Sequence, residues 1–174
     1  HFRQSQLNEA RTHWAMYLHT SEQLVRLDPN NADWQMELSY ALNNLGGVAR
    51  YQGRIGEALA YFRRSAKLKA NVLSTRPHDQ ALRYDLIDTL SWISSGDESE
   101  GRLQEAAAGY AEQIAMLRIL VANKPDALVW ERRLATLLLS SGNLAVSQGR
   151  LNEAHAQIEE SIARLSALTA RESD

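Results

Sequence analysis

The side chains that could hold a metal or move a proton are few, and their spacing does not suit either task. The histidines are His1, His13, His19, His78 and His155. A zinc site on a helix needs two imidazoles on one face, about one turn apart, with an acidic partner. His13 and His19 are six residues apart, and no His-Glu-x-x-His run exists. There is no cysteine, which removes disulfides, thiolate ligands and cysteine nucleophiles and leaves the compartment open. No glycine-rich phosphate loop and no Gly-x-Ser-x-Gly elbow occurs; Gly46-Gly47 falls inside a helical pattern. Glu57, Glu105 and Glu153 do recur, but each opens a helix, where negative charge complements the helix dipole. The sequence therefore predicts no enzyme activity, no catalytic residues, no metal and no cofactor. The chemistry left to it is recognition by amides, aromatic rings and guanidinium groups.

What positions those groups is a repeat. Gly53-Arg54-Ile55-Gly56-Glu57-Ala58 returns as Gly101-Arg102-Leu103-Gln104-Glu105-Ala106 and as Gly149-Arg150-Leu151-Asn152-Glu153-Ala154, at steps of 48. Leu7-Asn8-Glu9-Ala10 is a partial earlier copy, and Pro29, Pro77 and Pro125 keep the same step. A fixed period of this length marks a repeat protein whose units bury their apolar faces on one another. Hydrophobic residues make up 44% of the 174 residues, too many for a disordered chain. The net charge of −2 argues against a nucleic-acid partner, whose phosphates would call for an excess of Lys and Arg. No apolar run is long enough to cross a bilayer.

Helical spacing of apolar residues predicts helices over about 6–27, 32–51, 55–75, 79–95, 103–123, 127–148 and 151–170. Prolines and glycines punctuate them, because the residue before proline leaves helical angles and glycine closes a helix end. Asn30 to Asp33 supplies N-cap candidates. Aligned by 48, Leu38, Leu86 and Leu134 form one packing column and Leu42, Leu90 and Leu138 another. Trp34, Leu82 and Trp130 form a third; Ala10, Ala58, Ala106 and Ala154 a fourth; Trp14, Phe62, Tyr110 and Ile158 a fifth. Trp14, Trp34 and Trp130 are accordingly expected in the core. The stretch Ser94-Ser95-Gly96-Asp97-Glu98-Ser99-Glu100-Gly101 is poor in helix formers, so the fourth helix is expected to stop near Ser95.

The residues Leu42, Leu45-Gly46, Gly53, Glu57-Ala58 and Phe62 resemble the signature of the tetratricopeptide repeat family, including the twelve-residue step from Gly46 to Ala58. The resemblance extends over nearly the whole chain. The unit here is 48 residues instead of the family's 34, consistent with two extra turns on each helix. Such lengthened pairs resemble those of kinesin light chain and of bacterial multidomain signalling proteins. The resemblance implies an all-α fold, a right-handed α-solenoid of antiparallel helix pairs with about seven helices. One array would fill residues 1–174: a half repeat over 1–28, then repeats over 29–76, 77–124 and 125–174.

It also implies a non-enzymatic protein–protein interaction scaffold that binds a peptide or partner domain on a concave face lined by the first helix of each pair. The matching stripe is Met36, Tyr40, Asn43, Asn44, Gly47 and Tyr51. Shifts of 48 add Tyr84, Asp88, Ser91, Trp92, Ser95 and Ser99, then Arg132, Thr136, Leu139, Ser140, Asn143 and Ser147. Met36, Tyr40, Asn43, Asn44, Tyr51, Tyr84, Asp88, Trp92, Arg132, Thr136, Ser140 and Asn143 are the candidate ligand-binding residues. Asn44 occupies the position where family members bond a peptide backbone; the other two units have Trp92 and Ser140 there. Trp92 is expected either to floor the groove or to pack on a neighbouring first helix. Arg83, Arg132 and Arg133 could meet a carboxylate. The Lys/Asn/Arg clamp that some members use for acidic C-terminal tails is not reproduced. Alternative roles are self-association and regulation within a larger bacterial signalling protein. For self-association, Leu151, Ile158, Ile162, Leu165 and Leu168 form an apolar face at one end of the array.

Overall fold

The computed structural model describes residues 2–172, and side chains from residue 6 to residue 171. His1, and Ser173 where the proline step would next fall, lie outside the described residues. Seven α-helices follow one another: α1 (Phe2–Leu27), α2 (Ala32–Tyr51), α3 (Ile55–Thr75), α4 (Gln80–Ser99), α5 (Leu103–Asn123), α6 (Leu128–Ser147) and α7 (Leu151–Glu172). Two compact units divide within α4, at Gly96 and Asp97. In the first, α2 packs against α1 and α3; in the second, α6 packs against α5 and α7. None of the described helices is long and apolar enough to cross a membrane.

The turn that repeats in the sequence is a repeated helix ending. Gly53, Gly101 and Gly149 have φ of 75°, 75° and 73°, a left-handed conformation that costs an L-residue about 1–2 kcal/mol. The N–H of Gly53 bonds the carbonyl of Arg50 (2.9 Å), and the N–H of Arg54 bonds that of Ala49 (2.9 Å). Gly101 and Arg102, then Gly149 and Arg150, make the same two bonds. This Schellman arrangement satisfies the last carbonyls of one helix and turns the chain into the next.

The arginine after each glycine closes the turn through its side chain. Arg54 bonds both Gln52 and Glu57, and Arg150 bonds Gln148 and Glu153. The guanidinium thus ties the end of one helix to the first turn of its partner. In the middle copy Glu100 replaces the glutamine and Asp97 replaces the alanine of the other copies (Ala49, Ala145). Arg102 turns to Asp97 there, Nε to Oδ1 at 2.8 Å.

Packing between paired helices depends on missing side chains. A Cβ on Gly46 would lie 2.7 Å from the Phe62 ring, and one on Gly142 2.7 Å from Ile158. Ala58, Ala106 and Ala154 are buried in all three pairs. Ser65 donates to the carbonyl of Ser39 (2.9 Å), and Ser161 to that of Ala135 (2.7 Å), the same buried bond two repeats apart. Asn31 caps α2, its Oδ1 accepting from the N–H groups of Asp33 and Trp34 at 3.1 Å.

Two expectations are corrected. The fourth helix does not stop near Ser95 but runs to Ser99. Tertiary contacts outweigh its weak propensities: Leu59 lies where a Cβ on Gly96 would clash at 2.7 Å, the Ser94 hydroxyl bonds the carbonyl of Leu90 (3.0 Å), and buried Asp97 is held by Arg102. Trp14, Trp34 and Trp130 are half-buried, not core. Trp34 and Trp130 sit in the first turn of their helices, where a large indole reaches past its neighbours. Trp14 packs edge-on to Tyr17, with ring centres 5.8 Å apart.

Gly46→Ala should cost about 1–3 kcal/mol by overpacking against Phe62, and Gly53→Ala about 1–2 kcal/mol through backbone strain. Urea denaturation followed by circular dichroism measures both. Wild-type stability for Gly46→Ala would refute the packing assignment.

Candidate functional site

The exposed stripe of α2 opens into two clefts of different chemistry, both within the first compact unit. The first, about 560 Å³, lies between α2 and α4 and is lined by Met36, Tyr40 and Leu82 with Asp33, Glu37, Arg76, Asp79 and Asp85. Arg76 pairs with Asp33 at 3.0 Å, Glu37 accepts from the Tyr17 hydroxyl, and Asp79 Oδ1 accepts from the Leu82 N–H at 2.9 Å. Four carboxylates against one arginine leave the cleft acidic. The Tyr40 hydroxyl is accordingly held above its ordinary pKa by burial and by the charges of Asp85, Glu37 and Asp79.

Beneath this cleft is Lys69, a lysine of α3 with 0% exposure. Its ammonium donates to Asp85 Oδ1 at 2.9 Å and to Thr89 Oγ1 at 2.8 Å, and stands 5.8 Å from the centre of the Tyr40 ring. Thr89 in turn donates to Asn43 Oδ1 at 3.2 Å. Burial pushes the ammonium below the ordinary lysine range while Asp85 pulls it back up. A buried charge persists only when it is paired and hydrogen-bonded, and here α2 and α4 both supply partners. The network therefore ties the two walls of the cleft through its floor.

The second cleft, about 400 Å³, lies further along α2. Asn43, Asn44, Gly47, Arg50 and Tyr51 line it from α2, Leu7 and Trp14 from α1, Phe62 from α3 and Trp92 from α4. Trp92 is 41% exposed and stacks on Phe62 with ring centres 6.3 Å apart and planes inclined by 20°. It thus both packs on the core and offers its remaining surface to the cleft. The Asn44 amide donates to the Tyr40 carbonyl at 2.8 Å. That bond uses one of its two N–H groups and leaves Oδ1 for another partner.

Among the residues singled out in the sequence, Met36 and Tyr40 meet in the first cleft, and Asn43, Asn44, Tyr51 and Trp92 in the second. Tyr84 and Asp88 are half-buried on α4. Arg132, Thr136, Ser140 and Asn143 lie on α6 in the other unit, where Thr136 and Ser140 turn their hydroxyls to their own helix, bonding the carbonyls of Arg132 (2.9 Å) and Thr136 (3.2 Å). Arg83 is engaged with the Pro77 carbonyl at 2.6 Å. Sequence reasoning missed Lys69, Asp85 and Arg50. The repeat column of Lys69, otherwise Ser21, Leu117 and Leu165, held the signal: a lysine where the other copies carry a small or apolar residue.

Residues 38–79 match the tetratricopeptide repeat family. That stretch takes in most of α2, all of α3 and the turn before α4, one helix pair of a tetratricopeptide-like fold. The array is similar to the crystal structure of BtubC (BKLC) from P. vanneervenii, with a TM-score of 0.60 at 16% identity over 94% of this chain and 58% of that one. It thus spans little more than half the length of that protein. The crystal structure of MamA matches over 88% of this chain and 89% of that one at 15% identity, with a TM-score of 0.35. No curated protein matches the sequence. Tetratricopeptide repeats generally mediate protein–protein interaction, typically as scaffolds without enzyme activity.

Removing one partner of the Lys69–Asp85 pair should have unequal effects. Asp85→Ala strands a buried ammonium and should cost about 3 kcal/mol or more. Lys69→Met leaves a carboxylate that can turn to solvent, so the loss should be smaller. Chemical denaturation of the two variants measures the difference; equal losses would mean that the lysine is not confined as described.

Proposed function

We propose that the array is a non-enzymatic scaffold that holds an extended peptide segment of a partner protein along the exposed stripe of α2, between α1 and α4. The observation that carries this reading is the run of two clefts along one helix, from Met36 to Tyr51. Fifteen residues of helix rise about 22 Å. An extended segment of about seven residues covers that length. The clefts combine apolar surface for side chains with the amides of Asn43 and Asn44, which suit a passing backbone. On this reading Tyr84 and Asp88 flank the segment, and Arg132, Thr136, Ser140 and Asn143 form a separate surface for the rest of the partner.

Selection from a random heptapeptide display library on the immobilised chain tests the proposal. Peptides should be enriched, and fluorescence anisotropy should show their affinity falling at least tenfold for Asn44→Ala and for Trp92→Ala. Enriched peptides that bind both variants as tightly as wild type would place the working surface elsewhere.

A second reading, self-association, rests on Ile162 of α7. It is 59% exposed, whereas its repeat counterparts Ala66 and Ile114 are each 8% exposed. Leu151, about three turns earlier on the same helix, is also exposed, while Leu168 is buried within the unit. If α7 pairs with a second copy, light scattering at high concentration should report a dimer that Ile162→Glu dissociates. A wild-type monomer under those conditions removes this reading.

A further inference from the structure

Gly47 is the glycine in a first helix for which the fold has no use. Gly46, Gly96 and Gly142 are each required by an opposing side chain, since a Cβ on any of them would lie 2.7 Å from a neighbour. Among the described residues, a Cβ on Gly47 would meet nothing within 4 Å. Glycine within a helix weakens it relative to alanine, so this position carries a cost that no contact inside the protein offsets. The open space above it is the second cleft, walled by the rings of Trp14, Phe62, Trp92 and Tyr51.

Arg50 is the charged group of that cleft. Its guanidinium carbon lies 4.3 Å from the centre of the Trp92 ring and 4.8 Å from that of Tyr51. Arg54, Arg64, Arg76, Arg118, Arg150 and Arg164 each pair with a carboxylate. Among the described residues Arg50 makes neither an ion pair nor a side-chain hydrogen bond. A guanidinium stacked on aromatic rings is held in orientation by its faces while its N–H donors, which lie in its plane, remain free for an acceptor. Among the described residues no carboxylate lines this cleft. A ligand's carboxylate would therefore meet a positive charge already in place, with no competing carboxylate among the described residues that line the cleft.

We propose that this cleft is a side-chain subsite for an internal peptide segment in which a bulky apolar residue adjoins an aspartate or glutamate. The apolar side chain lies over Gly47 and the carboxylate meets Arg50. The proposal rests on the groove reading above and deepens it by naming what the groove selects. The segment is internal because the Asn44 amide, beside the same cleft, retains a donor and an acceptor for a backbone that continues past it. The carboxylate is thus a side chain's and not a chain terminus.

The test uses the intact chain and fluorescein-labelled heptapeptides with Gly-Ser flanks, capped at both ends, read by fluorescence anisotropy. A central Phe-Asp pair should bind at least tenfold tighter than Phe-Asn or Ala-Asp. It should also bind tighter than an uncapped peptide that ends in phenylalanine and has no acidic side chain. Arg50→Gln should erase the preference for Phe-Asp over Phe-Asn. Gly47→Ala should raise the melting temperature by about 2 °C yet weaken Phe-Asp binding at least tenfold, a pairing that a merely structural role could not produce. Equal affinity for Phe-Asp and Phe-Asn, equal affinity for the uncapped peptide, or unchanged binding by Gly47→Ala each overturns the proposal. If library-selected peptides depend on Asn44 and Trp92 but ignore Arg50→Gln and Gly47→Ala, the groove stands and this subsite falls. If no peptide binds, both fall.

Discussion

The structure depends on how closely two antiparallel helices can approach where one of them has no side chain. At Gly46 the Phe62 ring occupies the volume a methyl group would take, and at Gly142 Ile158 does the same. A large side chain on the second helix thus fills a gap cut in the first, as in any densely packed interior. Ala58 and Ala154 keep the neighbouring turn close, and the left-handed glycines at the helix ends bring the partner back at the right phase. Because these requirements occupy one face of α2, the opposite stripe is released from packing. Recognition can use that stripe without disturbing the seam.

Much of this was legible in the sequence. The 48-residue step, the prolines and the Gly-Arg turns place all seven helices, since each helix end is fixed by local backbone chemistry. What escaped was set by long-range contact. Ser94 to Ser99 reads as a weak helix end by propensity, yet Leu59 over Gly96 and the Arg102–Asp97 pair carry the helix through. Lys69 reads as a surface residue by type, and only its column in the repeat marks it as interior. Arg50 reads as one more surface arginine, because the tryptophan that holds it lies 42 positions along, at Trp92. The aligned stripe of α2 gathers into clefts, whereas its counterpart on α6 includes hydroxyls spent on their own helix.

The two clefts divide charge along a single helix. Near its start, Asp33, Glu37, Asp79 and Asp85 outweigh Arg76; near its end, Arg50 stands among rings and amides. For a peptide held as proposed, charge arranged this way would favour one direction of approach and penalise the reverse, which contributes more to specificity than to raw affinity. The Lys69 network beneath the acidic end adds rigidity, since α2 and α4 cannot separate there without exposing a hydrogen-bonded ammonium.

Lys69 has a further consequence. The chain contains three lysines against sixteen arginines, and the other two, Lys67 and Lys124, are exposed. Among the lysines, an amine-acylating reagent therefore meets two side-chain amines on the surface and one sealed beneath Tyr40 and Asp85. The rate at which Lys69 is modified, compared with Lys67 only two residues away, reports how often α2 and α4 part. The protein carries its own internal clock for the opening of that seam, read by mass and without any introduced label.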